Sequence, residues 1–296
     1  MDPSPTTHDH WLVAIIDRVR ATTRCDLGQY DPDLLRRRLA ERIAEISRFG
    51  LRDYLDGLID DPGECQHLIK LMAVEVSAFF RNPIVFELID QQVLPEIIDR
   101  KKRLGKKEIR VWSAGCCSGE EAYSIAMLIH DQVQGRTQGC ACHIFATDIH
   151  SDTLEFARRG GYSRERLDTV KLGVFRRYFT ELEGRFQVCD TIRDMVLFSH
   201  HDLTAPGNAT PADSIFGTFD LILCRNVLIY FSQMSQEMIL RKFHASLDDE
   251  GFLVLGEAEH IHHEMESLFL PLDRHNRIYR KRRSRSRNPQ NGMNDQ

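Results

Sequence analysis

The chain has 296 residues, 42% hydrophobic and 28% charged, with a formal net charge of -5. This balance fits one large globular domain or two smaller ones and gives no global bias toward nucleic acid. No window approaches the roughly 20 apolar residues of a membrane span, because the longest candidate, FDLILCRNVLIYF, is broken by Arg225-Asn226. The opening MDPSPTTHDH is polar and shows no signal peptide. Eight cysteines without framework spacing give the expectation of reduced thiols and a cytoplasmic protein. Cys140-Ala141-Cys142 and Cys116-Cys117 have no second matching pair, so no metal site is expected.

Residues 10–104 read as helices, with no compelling strand. Asp31-Pro32-Asp33 is a helix start, with proline in the first turn and acids near the positive dipole end. Leu35, Leu39, Ile43 and Ile46 then recur at helical spacing as a buried stripe, interleaved with Arg36, Arg37, Arg38, Arg42 and Arg48. A turn and short helix are expected over 47–57, another helix over 64–77, and a longer one from Asn82-Pro83 through Phe86, Ile89, Val93 and Ile97. At Lys106-Lys107 the texture changes. EIRVWSA, a helix over 120–133, HIFATD, a helix over 152–159, MVLF, FDLILC, a helix over 232–246 and FLVLG follow in turn. Apolar strands alternating with helices predict an α/β fold whose parallel sheet is covered on both faces. Residues 268–272 and 277–279 predict a terminal hairpin. Between 161 and 194 the alternation lapses, and Tyr178-Phe179 with 185–188 predict a small antiparallel β insert. KRRSRSRNPQNGMNDQ, residues 281–296, predicts a basic disordered tail. The expected organisation is an all-helical unit over 1–90, a ligand-binding α/β unit over 91–280 with its insert at about 161–194, and that tail.

The chemistry concentrates in VWSAGCCSGEEAY, where a strand passes through small residues into a helix. Gly115 and Gly119 flank Cys117, so the backbone can approach a ligand closely. A dinucleotide fingerprint would read G-x-G-x-x-G and a P-loop would end in G-K-[ST]; neither is present. With no lysine, a triphosphate is disfavoured, and Glu120 and Glu121 at the helix start suit a cationic ligand. Asp148 closes HIFATD, 29 residues after Gly119, where an acid commonly accepts hydrogen bonds from ribose hydroxyls. A ribose, no phosphate and a positive charge together describe S-adenosylmethionine. The plainer alternative is that Glu120 complements the helix dipole and Asp148 caps a helix. Arg225-Asn226 ends an apolar strand, where polar residues are costly unless paired and where such sheets place ligands.

SAFFR, VWSAGCCSGEEAYSIAM, FATDI, FSHHDL, FDLILCRNVLIYF and LGEAE occur in one order, over roughly residues 15–280. In this the chain resembles the chemotaxis receptor glutamate O-methyltransferases, the CheR family. The resemblance implies an all-α N-terminal domain before a Rossmann-like S-adenosylmethionine-dependent methyltransferase domain with a small antiparallel β-subdomain. The family motif Asn-x-Thr-x-Phe-Phe-Arg falls on 75–81, with Glu75 in place of the asparagine and Ser77 in place of the threonine. The implied cofactor-binding residues are Glu75, Ser77, Arg81, Gly115, Glu120, Asp148, Asp202, Leu203, Asn226 and Val227. Asp202 stands where the family has asparagine beside the adenine, and Cys117 where it usually has serine. Arg81 and Tyr230 are the expected catalytic, positioning residues. The implied partner is the acidic cytoplasmic helical bundle of a methyl-accepting chemoreceptor, with Arg36, Arg37, Arg38 and Arg42 as its docking surface; the plainer reading is a solvated helix face. The compact insert fits a form without a receptor peptide tether. Two other readings stay open: an S-adenosylmethionine-binding receptor partner without turnover, and a methyltransferase acting on another carboxylate.

Overall fold

The structure, a computed structural model, describes residues 10–46, 50–72, 76–136, 140–207, 209–214 and 217–282. Glu75 and residues 283–296 lie outside the described residues. No described helix is long and apolar enough to cross a membrane.

Four helices come first: α1 (His10–Thr23), α2 (Pro32–Ile46), α3 (Leu51–Asp60) and α4 (Pro62–Met72). Asp31 caps α2 by accepting the amides of Asp33 and Leu34 at 3.1 and 2.9 Å, and Asp61 caps α4 in the same way. Each helix places proline in its first turn where the sequence has one, which sacrifices no internal bond. The inward stripe of α1, Leu12, Ile15 and Val19, meets Leu35 and Leu39 of α2, Tyr54 and Leu58 of α3, and Leu68 and Met72 of α4.

α5 (Pro83–Leu88), a π-turn (Ile89–Val93) and α6 (Leu94–Arg103) form one continuous run. Pro95 has no N–H to return to the preceding turn, and the wide turn absorbs the break: Leu94 donates to the carbonyl of Ile89, five residues back. Val85, Ile89, Val93 and Ile97 pack in the core of the α/β layer, not with α1 to α4. The boundary expected at 90/91 therefore cuts through a helix run that belongs to the second unit. The packing changes partners between Met72 and Phe79.

The main sheet holds β1 (Glu108–Ala114), β2 (Ala141–Asp148), β6 (Val196–His200), β7 (Phe219–Cys224), β8 (Leu247–Leu255), β9 (Phe269–Asp273) and β10 (Ile278–Lys281), in the order β6-β2-β1-β7-β8-β10-β9. The first five are parallel, and β10 runs antiparallel to both β8 and β9. The sheet is thus mixed, its antiparallel edge being the expected hairpin. Lys281, expected in the tail, instead ends β10, buried, with its ammonium donating to the Leu247 carbonyl at 2.6 Å. Alternate residues of β1 divide between two cores, Trp112 and Ala114 on one face and Ile109 and Val111 on the other. The helices of this layer are α7 (Glu120–Arg136), α8 (Ser151–Arg159), α9 (Leu172–Tyr178), the short α10 (Asp190–Arg193) and α11 (Gln233–Ser246). The insert is a separate three-stranded antiparallel sheet, β3 (Gly161–Tyr162), β5 (Arg185–Val188) and β4 (Phe179–Leu182), in that order. The chain runs outward from β1 to β2 and β6, then returns to place β7 on the other side of β1. Such a reversal opens a crevice at the carboxyl ends of the two central strands, where α/β sheets bind ligands.

Candidate active site

The turn after β1 lies at that crevice. Gly115 and Cys116 donate their amides to the carbonyl of Thr147 at 2.8 and 2.9 Å, which ties the turn to β2. Cys117, at φ 50°, donates its amide to Asp148 Oδ2 at 2.8 Å. Gly115 has φ 73°, and a Cβ there would lie 2.4 Å from Val227 Cγ2. Only glycine lets the two loops approach so closely.

Asp148, at the end of β2, also accepts the amide of His150 at 3.0 Å through Oδ1. After β6, Asp202 accepts both the amide and the hydroxyl of Thr204 through Oδ1, at 2.8 and 2.6 Å. Lys242 of α11 donates to the carbonyls of Leu203 and Ala205, 2.8 Å each, and so fixes the loop that carries Asp202. His201 is buried edge-on against Trp112, with ring centroids 5.4 Å apart. Burial, with Lys242 nearby, lowers it to about 4, so it is neutral at physiological pH.

After β7, buried Arg225 donates to the Arg81 carbonyl at 2.8 Å, to Asn82 Oδ1 at 2.9 Å and to Glu121 Oε2 at 3.3 Å. Glu121 also accepts from the Ser113 hydroxyl at 2.8 Å. Burial raises the pKa of Glu121, and Arg225 and Ser113 oppose that rise. Asn226 is left-handed at φ 60°. Its loop hangs on Glu259, only 3% exposed, whose carboxylate accepts the amides of Asn226 (3.0 Å), Val227 (2.7 Å), Leu228 (2.7 Å) and Gly256. The 76–82 segment is anchored by Phe79, fully buried edge-on against Tyr162 and Phe179 at 4.8 and 5.3 Å. Arg81 donates to the carbonyl of Val76 at 3.1 Å.

One cavity is lined by Ser77, Arg81, Gly115, Asp148, Asp202, Leu203, Asn226, Val227 and Tyr230, so nine of the expected residues come together. Glu120 does not join them. It is fully buried behind the turn, where its carboxylate accepts from Ser118 Oγ at 2.7 Å and pairs with Arg166 of the insert. Glu121 takes the place in the lining that was expected of Glu120. Of the docking candidates on α2, Arg36 and Arg37 are exposed and Arg38 is half-buried. Arg42 is committed within the helical unit. It clamps the carboxylate of Glu64 with two bonds of 3.0 and 2.8 Å, and Tyr54 donates to the same group at 2.7 Å.

Sequence reasoning missed Tyr30, His201 and Glu259, and of the pair Glu120-Glu121 it assigned the cofactor to Glu120. His201 reads as surface in sequence, yet lines the cavity with Tyr30. The second glutamate of LGEAE was the available signal for Glu259. For Tyr30 no local signal exists, because its neighbour in the fold, Phe231, is 201 residues away.

The lining fits S-adenosylmethionine. Among the described residues of the lining, three carboxylates, Glu121, Asp148 and Asp202, face two arginines, of which Arg225 is already paired, and there is no lysine. Such a donor set takes hydroxyls, an amino group and positive charge, and disfavours a phosphate chain.

Comparison with known proteins agrees. Residues 12–73 match the family model "CheR methyltransferase, all-alpha domain" and residues 75–276 match "CheR methyltransferase, SAM binding domain". The chain is 34% identical over 243 residues to the chemotaxis protein methyltransferase of Escherichia coli, covering 80% of this chain and 79% of that protein. To the chemotaxis protein methyltransferase of Listeria monocytogenes it is 32% identical over 236 residues, 80% of this chain and 84% of that one. It is also 31% identical over 248 residues to an uncharacterized 104.1 kDa protein of Rhodobacter capsulatus; the match spans 84% of this chain but only a quarter of that protein's length. Two matching domains over most of its length, and a cavity suited to S-adenosylmethionine, make this chain a member of the CheR methyltransferase family.

Proposed function

We infer that the chain methylates glutamate side chains on the cytoplasmic helical bundle of a chemoreceptor, giving glutamyl γ-methyl esters and S-adenosylhomocysteine. The observation that carries this reading is the meeting of Arg81 and Tyr230, from separate segments, at the cavity that Glu121, Asp148 and Asp202 also line. S-adenosylmethionine supplies an activated methyl group on a sulfonium. Asp148 is assigned to the ribose, Asp202 and Leu203 to the adenine, and Glu121 with Asn226 to the amino-acid end. Ser77, Gly115 and Val227 close the walls.

An acceptor glutamate is already ionised at neutral pH, with a reference pKa of about 4.3, so no general base is required. The protein's part is to hold the carboxylate in place and exclude water. Arg81 is a cation able to receive a carboxylate, and Tyr230 a phenol able to orient it. Arg36 and Arg37, with Arg38 beside them, present positive charge on α2 to an acidic bundle and accelerate association. A cytoplasmic location follows from that substrate.

The test is transfer of radioactive methyl from S-adenosylmethionine to receptor cytoplasmic fragments, followed by base treatment and counting of volatile methanol. Base-labile label that disappears when acceptor glutamates are changed to alanine supports the reading. Cofactor binding with no label on any receptor fragment sinks it.

A further inference from the structure

The cavity has one wall from outside the α/β layer. Tyr30 sits between α1 and α2, only 4% exposed, yet it lines the cavity. It is held there by a strand-like clip. Tyr30 and Phe231 form an antiparallel bridge, with ring centroids 5.1 Å apart. The Asp31 amide donates to the Tyr230 carbonyl at 2.9 Å, and the Ser232 amide to the Gln29 carbonyl at 3.0 Å. Ser235 Oγ adds a bond to Gln29 Oε1 at 2.8 Å. Burial holds the Tyr30 phenol protonated, well above its ordinary pKa, and the carboxylates of Asp202 and Asp148 act in the same direction. Among the described residues its hydroxyl has no hydrogen-bond partner. Tyr30 lines the cavity, so that hydroxyl can donate to a ligand acceptor there.

We propose that Tyr30 is a binding residue for the nucleoside half of S-adenosylmethionine, supplied by the all-α unit. Cofactor occupancy and the seating of that unit on the 226–232 loop then stabilise each other. The inference rests on the cofactor assignment above and deepens it. The clip joins the unit that bears α2 to the loop that bears Tyr230. Coupling of this kind is reciprocal: whatever tightens the clip tightens the cofactor by the same factor.

The test uses the full chain and calorimetric titration with S-adenosylhomocysteine and with 5′-methylthioadenosine, which lacks the amino-acid end. Tyr30→Phe keeps the ring on Phe231 and removes only the hydroxyl. It is expected to weaken both ligands about three- to tenfold, the range of one hydrogen bond, with the melting temperature of the ligand-free protein unchanged. Hydrogen exchange at the amides of Asp31 and Ser232 should slow on ligand binding in the wild type, and slow less in Tyr30→Phe. Wild-type affinity for both ligands in Tyr30→Phe overturns the proposal and leaves the cofactor assignment standing. A loss confined to S-adenosylhomocysteine overturns the nucleoside placement. If the wild type binds neither ligand, the cofactor assignment fails and this inference fails with it.

Discussion

Glu120 and Glu121 are neighbours at the start of α7, about 100° apart around the helix axis. That rotation sends one carboxylate to Arg166 behind the turn and the other to the cavity beside Arg225. Both residue types were legible as a pair of acids at a helix start; the choice between them depended on a rotation that composition cannot reveal. The two variants should separate cleanly. Glu120→Gln leaves Arg166 without its buried partner and is expected to lower stability by about 1–3 kcal/mol with ligand affinity unchanged. Glu121→Gln is expected to weaken S-adenosylhomocysteine about tenfold or more. Parallel melting and titration measurements decide the matter, and a large affinity loss in Glu120→Gln would reverse the assignment. Glu259 acts through the loop it holds. A glutamine there turns an amide N–H₂ toward backbone donors, so Glu259→Gln is expected to cost about 2–4 kcal/mol and to weaken the ligand as well. Wild-type melting behaviour in that variant would show that the loop does not depend on the carboxylate.

At the scale of elements, the turn between β1 and α7 depends on one glycine. Gly115→Ala meets two obstacles, the positive φ and the 2.4 Å approach to Val227 Cγ2. A destabilisation of about 1–3 kcal/mol is expected from the strain. Val227→Ala removes the crowding methyls, so the double variant should recover part of that loss, and a thermodynamic cycle measures the coupling. Strict additivity would show that φ alone matters. The same turn was readable in the sequence because its apolar strands and small residues are local signals. β1 and β7 fall on EIRVWSA and FDLILC as expected. Signals that depend on distant partners were not readable. β8 begins at Leu247, five residues before FLVLG, because it is extended along β7 as well as β10. Pro95 within an apolar helical pattern gave no clue that a π-turn would carry the helix past it. The unit boundary was misplaced for a related reason: an amphipathic helix shows that it has an apolar face, not which core receives it.

For the whole molecule, the buried cluster that begins in α1 to α4 continues without a break through Trp112, Phe243 and Phe231. The helical unit and one face of the sheet therefore share a core, and His201 packs inside it, edge-on to Trp112. Its protonation is a stability question for the shared core. The folded value of about 4 lies below the ordinary 6.5, so in that window the unfolded chain binds more protons than the folded one. Stability contributed by neutral His201 is complete above about pH 6.5 and is lost as pH falls toward 4. Lys242 and His200 lower the value with burial, and Asp202 opposes them. His244 is also lowered and acts with the same sign, whereas Glu121, raised by burial, acts with the opposite sign. The effect of one residue must therefore be read as a difference. Between pH 7 and pH 4 the wild type is expected to lose on the order of 1–3 kcal/mol more than His201→Leu, which has nothing to protonate at that position. Denaturant melts of both proteins at half-unit steps test this, followed by Trp112 fluorescence in the layer where His201 lies. A wild-type curve that falls more steeply than that of His201→Leu toward acid supports a buried neutral imidazole. Parallel curves across the whole window would mean that His201 is already protonated, or reaches solvent, in the folded protein.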